Sequence, residues 1–341
     1  MENFGQWVIR PTSIVRQDHK ERFRICLLFP PPGFSGRARL GVIDATRREE
    51  FTATWIDGRN QAIPADDPAL VDQLFARLQT DRPLPGWPLG FRLRLDPPQA
   101  DILLEVDVHS SDPSTGESRS AHITCPTLPD PGVIYFCPLL PPSGDSALLR
   151  AALKATERDQ SVRFGLMPGW SIAGLEDRVR RLEAEGRLDR LLASGGRIGL
   201  LPAGDLPPPR NSEWQAVLWR GGSDPPQRLA GRIARESKDL LLHHGGLSPG
   251  FNPLRKAHEL LAVALLDRVP TWNSTIGLCT VELRDPDDWG SLAKDARRWM
   301  RSHSAPQLRV ATLSDFFAGL EELRAEGRIQ VPSIGAPAED R

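Results

Sequence analysis

"TIGLCTVELRDPDDWGSLAKDARRWM", residues 275–300, decides the fold. Its first third is apolar and β-branched, the composition of a short buried strand. Asp285 and Pro286 then change the pattern. Proline suits a first helical position, and the carboxylates of Asp287 and Asp288 favour the positive end of a helix dipole. Trp289, Leu292, Ala293, Ala296, Trp299 and Met300 recur at helical spacing and form one apolar stripe. A buried strand leading straight into a capped amphipathic helix is half of a β-α-β unit, in which strands run parallel under covering helices.

The same alternation extends in both directions. Upstream it predicts helix 146–157, strand "VRFGL", helix 172–194 broken near Gly186, and strands "RIGLL" and "QAVLW". Helix 226–236, strand "DLLLH" and helix 253–268 follow. Beyond residue 300 come strand "LRVAT" and helix 313–326, which opens on the capping box Thr312-x-x-Asp315 and closes on Gly327. The phrases "RLEAEGRL" and "ELRAEGRI" repeat a helix, glycine stop and strand. Two copies do not make a repeat architecture.

Before residue 140 the pattern differs. Short strands "WVIR", "RFRICLLF", "ARLGVID", "FTATWI", "GFRLRL", "DILLEVDV", "AHITC" and "VIYFCPL" alternate with Pro- and Gly-rich turns, and one helix, "DPALVDQLFARLQ", interrupts them. The expected fold class is therefore α/β overall: an N-terminal β-rich (α+β) domain, then an α/β domain with a mainly parallel sheet. Two prolines in "PLLPPSGD", followed by an Asp suited to helix capping, place the boundary. Residues 1–140 form the first domain, 141–145 a Pro-rich linker, 146–331 the second domain, and 332–341 a flexible tail.

Composition bounds function. The 341 residues carry 43 basic and 44 acidic side chains, a net charge of -1 with no long block of one sign, which excludes the basic footprint of a nucleic-acid binder. Four cysteines, Cys26, Cys125, Cys137 and Cys279, form no C-x-x-C pair and fit a reducing compartment. The opening segment lacks an apolar signal core, and "ELLAVALLDRV" is too short and too interrupted to span a bilayer. A soluble, cytoplasmic chain is expected. Nine Trp against one Tyr, and Arg far in excess of five Lys, suit sugar platforms or an Arg-rich interface, but they are also the bias that a genome rich in G and C would produce, and that is the preferred reading.

The stretch "LLLHHGGLSPG", residues 240–250, concentrates chemistry. Its "GLSPG" resembles the nucleophile elbow of α/β-hydrolases, with Asp285 and His303 downstream in the Ser, Asp, His order that the resemblance implies for Ser248. The residue after the serine is Pro249, which lacks the N–H that the oxyanion hole of that family requires. "LLLHHGG" is similar to the His-Gly-Gly oxyanion loop of hormone-sensitive-lipase-like esterases, yet no G-x-S-x-G follows it. A metal on His243 and His244 would need further ligands and convergence of neighbours that alternate across a strand, so no metal is expected.

Three other patterns are weaker. "GGS" at 221–223 with Asp239 resembles nucleotidyltransferases, though only one of the paired carboxylates is present. "LRVATLSDFFAGL" looks like the last strand and helix of polysaccharide deacetylases, without their Asp pair or H-x-x-x-H motif. Asp101, Glu105 and Asp107 of "DILLEVDVH" share one strand face, as a half-solvated strand requires. No phosphate-binding glycine loop occurs, and no cofactor is defined.

In open α/β sheets ligands collect beyond the carboxyl ends of the strands. Those ends supply His243, His244, Asp205 and Asp285 as candidate catalytic acids and bases, with Arg220 and Arg284 as candidate substrate-binding groups and Glu282 near the end of its strand. The expected activity is hydrolysis or group transfer on an unidentified small molecule. The competing reading is a non-catalytic regulatory or assembly protein, holding a protein partner through the β-rich half by Trp87 and Phe91 of "DRPLPGWPLGF"; neither reading involves nucleic acid or membrane.

Overall fold

The computed structural model describes residues 8–18, 21–29, 37–44, 53–56, 62–63, 89–95, 104–111, 118–119, 132–143, 145–192, 198–201, 216–219, 230–233, 240–244, 250–267, 269, 271–272 and 275–330. The chain divides into two compact units. The first comprises Met1–Pro131, Pro253–Arg268 and Trp299–Pro306; the second comprises Gly132–Asn252, Val269–Arg298 and Gln307–Arg341.

In the first unit, strands β1 (Val8–Asp18), β2 (Glu21–Phe29), β3 (Arg37–Asp44), β4 (Ala53–Ile56), β5 (Ala62–Ile63), β6 (Leu89–Leu95), β7 (Leu104–Ser111) and β8 (Ser118–Arg119) pair only antiparallel. They form a ladder β1-β2-β6-β4-β5 and a separate sheet β3-β7-β8. The expected helix at 67–79 and strand "AHITC" lie outside the described residues.

The second unit is α/β with a parallel sheet. Its strands are β9 (Val133–Leu140), β10 (Phe164–Leu166), β11 (Leu188–Leu192), β12 (Ile198–Leu201), β13 (Ala216–Trp219), β14 (Ala230–Ile233), β15 (Leu240–His244), β16 (Thr271–Trp272) and β17 (Ile276–Glu282). Between and after them come helices α1 (Ser146–Arg158), α2 (Glu176–Ala184), α3 (Glu259–Asp267), α4 (Pro286–Ser302) and α5 (Leu313–Ala325), with strands β18 (His303–Ala305) and β19 (Gln307–Val310) preceding α5. Of these, α3 and β18 fall within the first unit.

From β15 through β13, β12, β11, β10 and β9 to β17, every neighbouring pair is parallel, and β19 also pairs parallel with β9. Antiparallel strands β14 and β16 close the two ends. The parallel part curves as a half-barrel. The apolar run Val133–Leu140 is central to it, gripped by β17 on one side and by β10 and β19 on the other.

Alternation along the strands sorts side chains onto two faces. Tyr135, Cys137, Leu139, Leu191, Ile198, Leu218 and Leu278 join Phe316, Phe317 and Leu320 of α5 in one buried cluster. On the other face Phe164 meets Trp289 of α4 edge-on, with ring centroids 5.2 Å apart. Also on that face, Arg190 is ion-paired to Glu183 of α2, and α2 is tied to α1 by Arg178 and Glu157. Helices therefore cover both faces, which is why the strands read as unbroken apolar runs.

Local signals fix the helix ends. Asp145 Oδ1 accepts from the Ala147 N–H at 2.7 Å and starts α1. Thr312 and Asp315 form the reciprocal capping box of α5. The helix anticipated at 172–194 is shorter. It ends at Ala184, because Gly186 takes φ +66° and the Arg187 N–H returns to the Leu182 carbonyl at 2.8 Å; Leu188–Leu192 then forms strand β11. Ala230–Ile233, anticipated within a helix, is strand β14, paired antiparallel with β15. Among the described residues, no helix is long and apolar enough to cross a membrane.

Candidate functional site

The carboxyl end of β17 places a charged residue where the apolar pattern stops. Glu282 is the last residue of a strand whose every member is buried, and it is itself 3% exposed. Its register partner on β9 is Leu139, a member of the cluster beneath α5, so Glu282 belongs to that inner face. The carboxylate accepts from Arg284 Nη2 at 2.6 Å, while the Arg284 side chain remains 62% exposed. A buried carboxylate gripped by a guanidinium that also reaches solvent can exchange a proton with a ligand and bind an anionic group beside it.

Neighbouring strand ends converge on this point. The Leu283 N–H donates to the Leu139 carbonyl, and the Met167 N–H donates to the Leu140 carbonyl. Trp170, just after β10, donates its indole N–H to the same Leu140 carbonyl at 3.3 Å. The Arg284 N–H donates to the Gly250 carbonyl at 3.3 Å. Gly250 is the last residue of "LLLHHGGLSPG", so the connection leaving β15 ends against the residue that grips Glu282.

His243 and His244 both lie within β15. Their backbones are in register with Leu218 and Trp219 of β13, respectively, and the Ala230 backbone of β14 opposes His243. Consecutive positions in one strand fall on opposite faces; the position of His243 shares the row of Leu218, on the inner face. The strand continues through His244, so convergence of the two residues by early strand termination does not occur. Asp205, Arg220, Gly221 and Ser248 lie outside the described residues.

Asp285 is committed to helix geometry. Its Oδ1 accepts from the Asp287 N–H at 2.9 Å and its carbonyl accepts from Asp288, which starts α4. Of the three residues implied by the elbow resemblance, Asp285 is thus occupied at the start of α4, His303 opens β18 in the first unit, and Ser248 lies outside the described residues. Of the β-rich half's proposed contacts, Trp87 lies outside the described residues and Phe91 sits in β6, its backbone opposite Cys26 and Trp55. Glu105 and Asp107 are in β7, opposite Ile43 and Gly41, while Asp101 lies outside the described residues.

Two further carboxylates were hidden in the sequence. Asp189 of β11 accepts from the Ser314 N–H at 2.6 Å and the Ser314 hydroxyl at 2.9 Å. Burial pushes its carboxyl above the usual range, partly offset by these bonds to Ser314. Arg163 Nη1 donates to both carboxylate oxygens of Asp315, at 3.0 and 2.9 Å. Asp189 lies in the same register row as Glu282, through Leu139 of β9 and Gly165 of β10, and through Ser314 it anchors the start of α5, in whose first turn Asp315 sits. The signal for Asp189 was a charge within an apolar run that also reads as helix. Glu282 carries a plainer signal, a lone acid closing seven apolar or β-branched positions.

Cys137 and Cys279 are free and buried, and burial raises both thiols, Cys279 to about 12. Neither is an ionised nucleophile at neutral pH. Comparison with known proteins finds no family model that matches the chain and no curated protein similar to it.

Proposed function

We propose that the chain is an enzyme of hydrolytic or group-transfer type, with an acid–base site at the carboxyl ends of the parallel strands. Glu282 is its central carboxylate. His243 supplies the second proton-transferring group from the end of β15, and Arg284 holds the anionic part of the substrate. Asp205 and Arg220, which follow β12 and β13 in the sequence, and His244, the last residue of β15, are the further candidates for this site. Asp285 contributes through the helix it caps. The β-rich amino-terminal half forms a separate α+β domain in this reading.

The observation that carries the proposal is Glu282 itself: a carboxylate 3% exposed at a strand end, held by a side chain that reaches outward. Desolvating a carboxylate at a sheet end costs stability that a leucine there would not, and such residues persist where chemistry needs them. The return of Gly250 to Arg284 supports placing the β15 connection at the same rim. An open α/β sheet with its ligand at the strand carboxyl ends is the general expectation on which the assignment leans.

Turnover of activated carboxylic esters, phosphate esters and glycosides by the wild-type chain and by Glu282→Gln tests the reading. The expected result is activity on one of these classes, reduced about a thousandfold in Glu282→Gln, with unfolding free energy within about 1 kcal/mol of wild type. A wild-type rate retained by Glu282→Gln would overturn it.

A further inference from the structure

The segment Gly250–Asn252 is tied to α4 at two points. Asn252 is wholly buried. Its backbone N–H donates to Asp288 Oδ2 at 2.9 Å, and its side-chain Nδ2 donates to Asp295 Oδ2 at 3.1 Å. Asp288 and Asp295 are themselves buried, and they stand about two turns apart on one face of α4. One contact would leave a hinge. Two contacts spaced along the helix fix the direction of the segment as well as its place.

That direction matters at Gly250, whose carbonyl accepts from the Arg284 N–H. At φ +79° Gly250 lies in the left-handed region that favours glycine, and a Cβ there would meet Arg284 Cδ at 3.8 Å. Gly250 therefore rests against both the backbone and the stem of the arginine whose Nη2 holds Glu282 at 2.6 Å. Holding a segment by two desolvated carboxylates costs stability that an apolar contact would not. What it gains is orientation, because hydrogen bonds are directional and apolar burial is not.

We infer that Asn252 is a positioning residue: through Gly250 it sets where the Arg284 guanidinium stands beside Glu282, and hence where the anionic group of a substrate is held. The inference rests on the acid–base site proposed above and adds to it a residue that touches no reacting atom. Its chemistry suits the task. Both partners on α4 are carboxylates, which when ionised only accept, so residue 252 must donate; an amide does, whereas an aspartate would add a third carboxylate. Among the described residues the guanidinium gives Glu282 one nitrogen, Nη2, leaving its other donors for a ligand.

Two measurements on the full-length chain test this. Guanidinium nitrogen-15 spectra, with the Arg284 signal assigned by its loss in Arg284→Lys, report whether that side chain is held; slow rotation about its Cζ–N bonds is expected in wild type and fast rotation in Asn252→Ala. Turnover is measured on whichever of the activated carboxylic esters, phosphate esters or glycosides the wild-type chain accepts. Asn252→Ala is expected to raise KM about tenfold with kcat within about threefold, and to add no further loss to Arg284→Ala. Asp295→Ala, where alanine favours the helix, should reproduce Asn252→Ala and serves in its place if that variant does not fold. Asp295→Asn keeps an acceptor for the amide and should behave as wild type. Slow rotation retained in Asn252→Ala and Asp295→Ala, or losses that multiply with Arg284→Ala, would overturn the inference. A wild-type chain that turns over none of these substrates refutes the acid–base site instead, and the rotation of Arg284 still decides whether Asn252 holds it.

Discussion

Asp189 shows how a single carboxylate can be structural while its ionisation works against the fold. Burial raises its carboxyl, and the Ser314 N–H and hydroxyl lower it by less. A carboxyl raised in the folded chain penalises the ionised form there. The penalty is absent well below the unfolded-state value, grows as pH rises through that value towards the folded one, and is complete above it. Asp189→Asn keeps an acceptor for the Ser314 N–H and removes the charge. It is therefore expected to be neutral or stabilising by about 1 kcal/mol at neutral pH, with the gain vanishing in acid; urea unfolding across pH checks both the size and the sign. A loss of stability at neutral pH would show that the ionised form is what anchors α5. Nothing local in "RLDRLL" announces this role, because the residue that makes it, Ser314, is 125 positions away. Glu282 was more legible, since an acid closing a fully apolar strand breaks the pattern at a strand end. His243 was legible only as a residue type in a suggestive stretch; the strand register that places it on the inner face was not.

At the scale of elements, local chemistry and legibility go together. Helix α4 begins and ends where Asp285, Pro286 and the apolar stripe put it, and α5 carries the capping box its sequence spells. The recurring "AEGR" phrase proves to be one device used twice. After α2 and after α5, a glycine at φ +66° or +70° ends the helix, and the next N–H, of Arg187 or Arg328, returns to the carbonyl of Leu182 or Leu323. Gly186→Ala and Gly327→Ala should each cost about 1 kcal/mol, because a Cβ disfavours the left-handed backbone; thermal unfolding of each variant measures this, and unchanged stability would mean the stop lies elsewhere. Strands that depend on partners were hidden. "LAGRIARE" has the composition of a helix, yet Ala230–Ile233 pairs with β15, and pairing overrides propensity. Leu188–Leu192 continues the leucine spacing of α2, and only the glycine geometry separates the two. The three residues of β18 carry no apolar run at all, and only their register with β1 defines them.

For the whole molecule, the parallel sheet was legible and its composition was not. Alternating helices and apolar strands after residue 146 imply strands running in one direction, and from β15 to β17 they do. The central position of β9 was invisible, because "VIYFCPL" ends a strand-rich stretch and its parallel partners, β17 and β19, begin more than 140 residues later. A long-range pairing of this kind leaves no trace in local spacing. The functional account depends on what the curved sheet brings to one rim, with the Gly250 carbonyl against Arg284 as the observed link between the β15 and β17 connections. Residues acting together in one chemical step lose activity non-additively, whereas residues in separate sites lose it independently. A double-mutant cycle on turnover with His243→Ala, Glu282→Gln and the combined variant tests this most directly. The account predicts that the combined variant is no slower than the slower single variant; losses that multiply, or a His243→Ala enzyme with wild-type turnover, would contradict it.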